Sequence, residues 1–130
     1  MVLLQIAEPG ASPEPNTQRK VAVGIDLGTT NSLIAHFDGQ SLQVLPDGSG
    51  STSLPSVVYF GANDVRIGQE AMAQASAEPA NTIASAKRML GRARVEFEDD
   101  PYVTLAPGDT LAFATAAGTK APVEVSAAIL

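Results

Sequence analysis

The run Gly24-Ile-Asp-Leu-Gly-Thr-Thr-Asn-Ser32 constrains the fold more than any other stretch of this chain. It sets an aspartate near the end of an apolar β-forming segment, Val21 to Leu27, followed by a glycine and small side chains bearing hydroxyl or amide groups. A carboxylate on an apolar strand is costly unless a cation or hydrogen-bond donors face it. Successive backbone N–H groups at a glycine turn form a nest that suits an anion. Together they suggest phosphates accompanied by a metal ion. The alternative, for Asp-x-Gly alone, is a hairpin turn in which Asp26 and the threonines merely satisfy the backbone. Ser32 to Phe37 reads as a second apolar strand, antiparallel to the first. The run is therefore neither a P-loop nor a dinucleotide fingerprint, since both place a helix after the glycines.

Beyond this hairpin, Asp38-Gly39 signals a turn into a third strand, Leu42 to Leu45, which ends at Pro46-Asp-Gly. Gly48 to Ser53 is a Gly/Ser loop, and Ser56 to Phe60 a further strand. From Gln69 the residues become helix formers until Pro79 stops them. A second helix is expected from Thr82 to Leu90, with Asn81 as N-cap and Gly91 at its end. On that helix Ile83, Ala86 and Leu90 share a face, Lys87 falls within the same stripe, and Arg88 points away. An inward lysine either snorkels out along its stem or reaches a buried anion. Residues 92 to 101 read as a solvated loop with Arg92 and Arg94 at the surface. Tyr102 to Leu105 and Leu111 to Thr115 suit a hairpin across Pro107-Gly-Asp. Pro122 to Leu130 fits either an alternating strand or a helix with proline in its first turn. It carries no stop signal, so the chain reads as a piece of a longer one. His36 is expected on the exposed face of its strand and is given no role.

Composition bounds the function. At 130 residues the chain is one domain at most: a flexible arm over 1–18 and a folded part over 19–130. Fourteen acidic against eight basic residues give a net charge of -6, which argues against nucleic acid as a partner. No apolar run reaches membrane-spanning length and the start lacks a signal peptide's basic residues, so a soluble cytoplasmic protein is expected. With no cysteine and one histidine, disulfides, thiolate metal sites and cysteine nucleophiles are excluded. Aromatics are 5% and tryptophan is absent. The core is therefore thin, which makes a self-associating interaction fragment a credible non-enzymatic reading.

Four ordered strings carry a family resemblance: Gly24 to Ser32, Leu54-Pro-Ser-Val-Val58, Ile67-Gly-Gln69 and Asn81-Thr-Ile-Ala-Ser-Ala-Lys-Arg-Met-Leu-Gly-Arg92. In order and spacing the chain resembles the start of the seventy-kilodalton heat-shock chaperones, the DnaK family. Val123 to Leu130 resembles the family's following helix, which favours the helical reading there. Leu3 to Gly10 and the Leu54-Pro55 pair are similar to the HscA branch, devoted to iron-sulfur cluster assembly, rather than to general DnaK. Ala93 to Lys120 resembles nothing closely enough to transfer roles.

The resemblance implies an α/β, actin-like (ribonuclease H-like) ATPase fold, of which this chain is part of the first lobe. It implies ATP or ADP with Mg²⁺ and K⁺ as cofactors. Asp26 matches the acid that orients the hydrated Mg²⁺ and the potassium ion, and Gly28, Thr29, Thr30 and Asn31 match the first phosphate-binding turn. Thr29 would offer its hydroxyl to the γ-phosphate region, and the amides of Thr30 and Asn31 would hold phosphate oxygens. Lys87 matches the lysine that reaches the γ-phosphate and the attacking water. An iron-sulfur scaffold protein and a J-domain co-chaperone are the implied partners. A sugar or acid kinase is the rival, because that actin-like relative also opens with a Gly-x-Asp-x-Gly-Thr-Thr hairpin.

Overall fold

The computed structural model describes residues 22–92, 94–97 and 99–130. The expected arm over 1–18, the first strand residue Val21 and the side chain of Arg94 lie outside this description. The chain is α/β, with ten short strands in three antiparallel sheets and two helices among the described residues.

β1 (Ala22–Asp26) and β2 (Asn31–Phe37) form the expected hairpin, in a register that sets Asp26 opposite Leu33 and Gly24 opposite Ala35. β3 (Leu42–Val44) continues the meander on β2. The turn before it is built by Asp38, whose carboxylate accepts from the amides of Gln40 and Ser41, both at 2.8 Å. His36, expected to be exposed, is half-buried, because Val23 and Gln43 flank it across the two neighbouring strands. β4 (Leu54–Pro55), not anticipated, pairs with the start of β2.

β5 (Val57–Phe60) is buried along its whole length, as its unbroken run of β-branched and aromatic residues suggests. Its alternation divides it between two clusters. Val58 and Phe60 join Ile83, Ala86, Phe113 and Val125 in the main core, while Val57 and Tyr59 pack with Ala71. β6 (Val65–Ile67), also unforeseen, borders β5 on one side.

Two helical expectations are corrected. α1 spans only Gln69–Met72, and the chain then proceeds by turns to Glu78. Ala71 is its one buried residue, so too little apolar surface is packed to sustain a longer helix. The helix expected from Thr82 to Leu90 is absent. Thr82–Ala84 is instead β7, paired with β5 so that Ile83 lies opposite Val58. β-branched Thr82 and Ile83 suit a strand, and completing the sheet outweighs a weak helical preference. Ser85 then adopts a left-handed conformation (φ 56°), and Ala86–Met89 forms a single 3₁₀ turn. Asn81 consequently caps no helix.

The expected loop over 92–101 contains a 3₁₀ turn, Arg94–Phe97. The expected hairpin across Pro107-Gly-Asp is present as β8 (Val103–Ala106) and β9 (Thr110–Thr115), with Gly108 and Asp109 both at positive φ. β10 (Gly118–Lys120) folds back on β9. The last segment is helical: α2 (Pro122–Ile129) has proline at its first turn, and Glu124 reaches back to accept from the Ala121 amide at 2.7 Å. No helix among the described residues is long and apolar enough to cross a membrane.

Candidate functional site

The turn between β1 and β2 collects most of the residues singled out in the sequence. Strand pairing ends at Asp26, which is exposed, and the chain reverses through Leu27 to Thr30. Glycine is required at 28, since a side chain there would run into the carbonyl oxygen of Asn31. Thr29 is half-buried and Thr30 exposed.

The turn is tied to the strand that follows Pro55. The Ser56 amide donates to the Thr30 carbonyl at 2.8 Å, and the Ser56 hydroxyl donates to the Gly28 carbonyl at 2.9 Å. Ser32 lies 2.8 Å from the same hydroxyl, and both serines are buried. Proline is tolerated at 55 because Asn31 and Pro55 pair without exchanging bonds of their own; the ladder bond comes from Ser56.

Lys87 reaches the same turn from the segment after β7. Its Nζ donates to the Leu27 carbonyl at 2.7 Å, across a separation of 60 residues. The helical stripe expected to carry it does not exist; the strand β7, the left-handed Ser85 and the 3₁₀ turn bring it there instead. An ammonium has three N–H bonds, so two remain for whatever occupies the turn. Arg88 is exposed, and Arg92 makes a surface ion pair with Glu96 at 3.0 Å.

Chemically, the place offers backbone amides at a tight turn, hydroxyls, one ammonium and one carboxylate. That donor set fits a phosphate chain. No cluster of three or more His, Asp or Glu forms a metal site among the described residues; a single carboxylate such as Asp26 could hold a Mg²⁺ only through its water shell, with phosphate oxygens as further ligands. Ser32 and Ser56 contribute to this turn although the sequence assigns them no role. The available signal was two serines standing at the starts of otherwise apolar strands.

A family model described as Hsp70 protein matches residues 22–130. The chain belongs to the Hsp70 family. Along its whole length it is 50% identical to a chaperone protein HscA homologue of Acidovorax ebreus (strain TPSY), of which it covers 22%. It is also 50% identical, again over its whole length, to an HscA homologue of Burkholderia multivorans (strain ATCC 17616 / 249), of which it covers 21%. It thus spans about a fifth of the length of these curated relatives, and it is HscA-like within its family.

Proposed function

We propose that this chain belongs to the ATPase domain of an HscA-type chaperone, in part of the first lobe of an actin-like fold, and that the β1–β2 turn is one side of its phosphate site. The observation that carries the reading is the Lys87 ammonium, 2.7 Å from the Leu27 carbonyl at the mouth of that turn. Gly28 gives the close backbone approach, and the Thr29 hydroxyl with the Thr30 and Asn31 amides holds phosphate oxygens. Lys87 offsets charge that develops on the transferring phosphoryl group and positions the attacking water. Asp26 would hold water of a Mg²⁺ shell and would lie beside a K⁺. Bound Mg²⁺ supplies neutralisation of the phosphate oxygens.

Phosphoryl transfer depends on positioning from both sides of the phosphates. In the full-length protein, contacts from outside this segment complete the site, and ATP turnover drives client handling in iron-sulfur cluster assembly with a scaffold protein and a J-domain co-chaperone in the cytoplasm. The HscA relatives support this choice of branch. The test is MgATP hydrolysis by the full-length protein with and without an iron-sulfur scaffold protein. Slow turnover that rises with the scaffold is expected. Equal stimulation by a generic unfolded peptide points to a general folding chaperone, and stimulation by a sugar with release of a sugar phosphate overturns the chaperone reading.

A further inference from the structure

We infer that Ser56 is a positioning residue that sets the direction of two amides of the β1–β2 turn, those of Thr29 and Asn31, and with the first of them the placement of the Thr29 hydroxyl, with Ser32 acting through it; the ligand half of this inference rests on the reading above. Ser56 holds two carbonyls of the turn at once, that of Gly28 through its hydroxyl at 2.9 Å and that of Thr30 through its amide at 2.8 Å. A trans peptide points its C=O and the following N–H in opposite directions, and no cis peptide interrupts the described residues. Pinning the Gly28 carbonyl toward Ser56 therefore turns the Thr29 amide away from it. Pinning the Thr30 carbonyl does the same for the Asn31 amide. Both N–H groups are directed to the side of the turn opposite β5, without any contact between Ser56 and the ligand.

Proton counting orders the two serines. A hydroxyl has one proton to donate, and Ser56 spends its own on Gly28. At the 2.8 Å contact between the hydroxyls, Ser32 must then be the donor. The chain runs from Ser32 to Ser56 to the Gly28 carbonyl, and each link polarises the next. Both side chains are buried, at 5% and 4% exposure, so water is a poor substitute for either. Removing Ser56 Oγ frees the Gly28–Thr29 peptide plane to rotate. Removing Ser32 Oγ only weakens a bond that stays in place.

The test uses the full-length protein with Ser56→Ala, Ser32→Ala and the similarly shaped Ser56→Cys. Amide hydrogen exchange at Thr29 and Asn31 is read without nucleotide, and affinity for MgATP and MgADP by calorimetry. Ser56→Ala is expected to speed exchange at Thr29 most and to weaken MgATP about tenfold more than MgADP. Ser32→Ala should shift both readouts less. If Ser56→Ala does not fold, Ser56→Cys replaces it, with a weak S–H donor and the same sign of effect. Unchanged exchange at Thr29, equal losses for the two nucleotides, or a larger effect from Ser32→Ala than from Ser56→Ala overturns the inference. Wild-type protein that binds neither nucleotide overturns the phosphate reading and the ligand half with it, while the exchange data decide the turn-setting half separately.

Discussion

Lys87 and Leu27 stand 60 residues apart in the chain, yet the lysine Nζ donates to the leucine carbonyl at 2.7 Å. That one bond joins the 3₁₀ turn after β7 to the first residue of the turn after β1. It sets a positive charge where the backbone already offers amides. The arrangement predicts that Lys87→Ala in the full-length protein slows ATP hydrolysis about 10²-fold or more while leaving ATP binding largely intact, because a donor aimed at developing charge acts on the transition state. Arg88→Ala should change little. Single-turnover hydrolysis alongside equilibrium binding checks both, and equal losses for the two variants would remove Lys87 from the site.

Ser85 supplies the bend that aims Lys87. With φ at 56° it is one of two non-glycine residues at positive φ among the described residues. Ser85→Val places a β-branched side chain in that conformation at a cost of about 1–3 kcal/mol. Ser85→Gly removes the steric penalty. The valine variant is therefore expected to lose stability and to slow hydrolysis together, and the glycine variant to keep its hydrolysis rate. Thermal unfolding and single-turnover rates of the pair decide it; a valine variant as active and stable as wild type would show that another backbone route delivers Lys87.

Asn81 replaces its expected capping role with a tertiary one. Its Oδ1 accepts from the Ala116 amide at 2.7 Å and its Nδ2 donates to Glu78 Oε2 at 2.8 Å. The same Glu78 oxygen accepts from the Tyr59 hydroxyl at 3.0 Å. The group links β5 to the β9–β10 turn. Asn81→Ala leaves the exposed Ala116 amide without this acceptor, and a cost of about 0.5–1.5 kcal/mol is expected. Exchange at the Ala116 amide should quicken by about two- to tenfold, since about 1.4 kcal/mol is a factor of ten. An unchanged rate would mean that water serves that amide equally well.

How much of this was legible depends on where the decisive contacts lie. The β1–β2 hairpin, its turn and the Pro107-Gly-Asp hairpin are local, so alternation and turn residues reveal them. The proline opening α2 is local too. Thr82 to Leu90 has helical spacing of its apolar residues, but its partner is β5, more than twenty residues earlier in the chain, and no local period reports that. The placement of Lys87 beside the β1–β2 turn therefore comes from β7, the left-handed Ser85 and the 3₁₀ turn, and only the family resemblance associates it with phosphates. The serine relay was hidden for the same reason, because Ser32 and Ser56 meet only when β4 lies beside β2.

The loop after β3 carries a pH dependence with a definite sign. Asp47 accepts from the Ser49 hydroxyl at 2.7 Å and from the amides of Ser49 and Ser51 at 2.8 and 2.9 Å. These bonds, the Ser49 hydroxyl foremost, hold its pKa below the usual 3.8. A carboxylate with a depressed folded pKa contributes stability that is present above the unfolded value and lost as pH falls through the folded one. The loop should stay ordered at pH 5 and loosen only below about pH 4. Asp47→Asn should remove that acid limb. Side-chain carboxyl titration by NMR checks it, and a midpoint at or above 3.8 would contradict the bonding.

The 130-residue chain alone is expected to self-associate and to bind MgATP poorly. Both faces of the first sheet carry exposed apolar side chains: Val23 and Ile25 are 55% and 51% exposed on one, Leu42 and Phe37 70% and 47% on the other. Among the described residues β1 has no strand on its outer edge. A sheet that is apolar on both faces is stable when both are covered, and an open edge recruits another strand. With nothing else in solution, the cover available is a second copy of the same chain. On the proposed reading the β1–β2 turn would contact phosphates from one side only, so the cost of ordering the ligand would not be offset. Sedimentation should show mass rising with concentration, and calorimetry with MgATP no binding at micromolar levels. A monomer that binds MgATP at micromolar affinity would show that this segment closes its own sheet and needs no second side to its phosphate site.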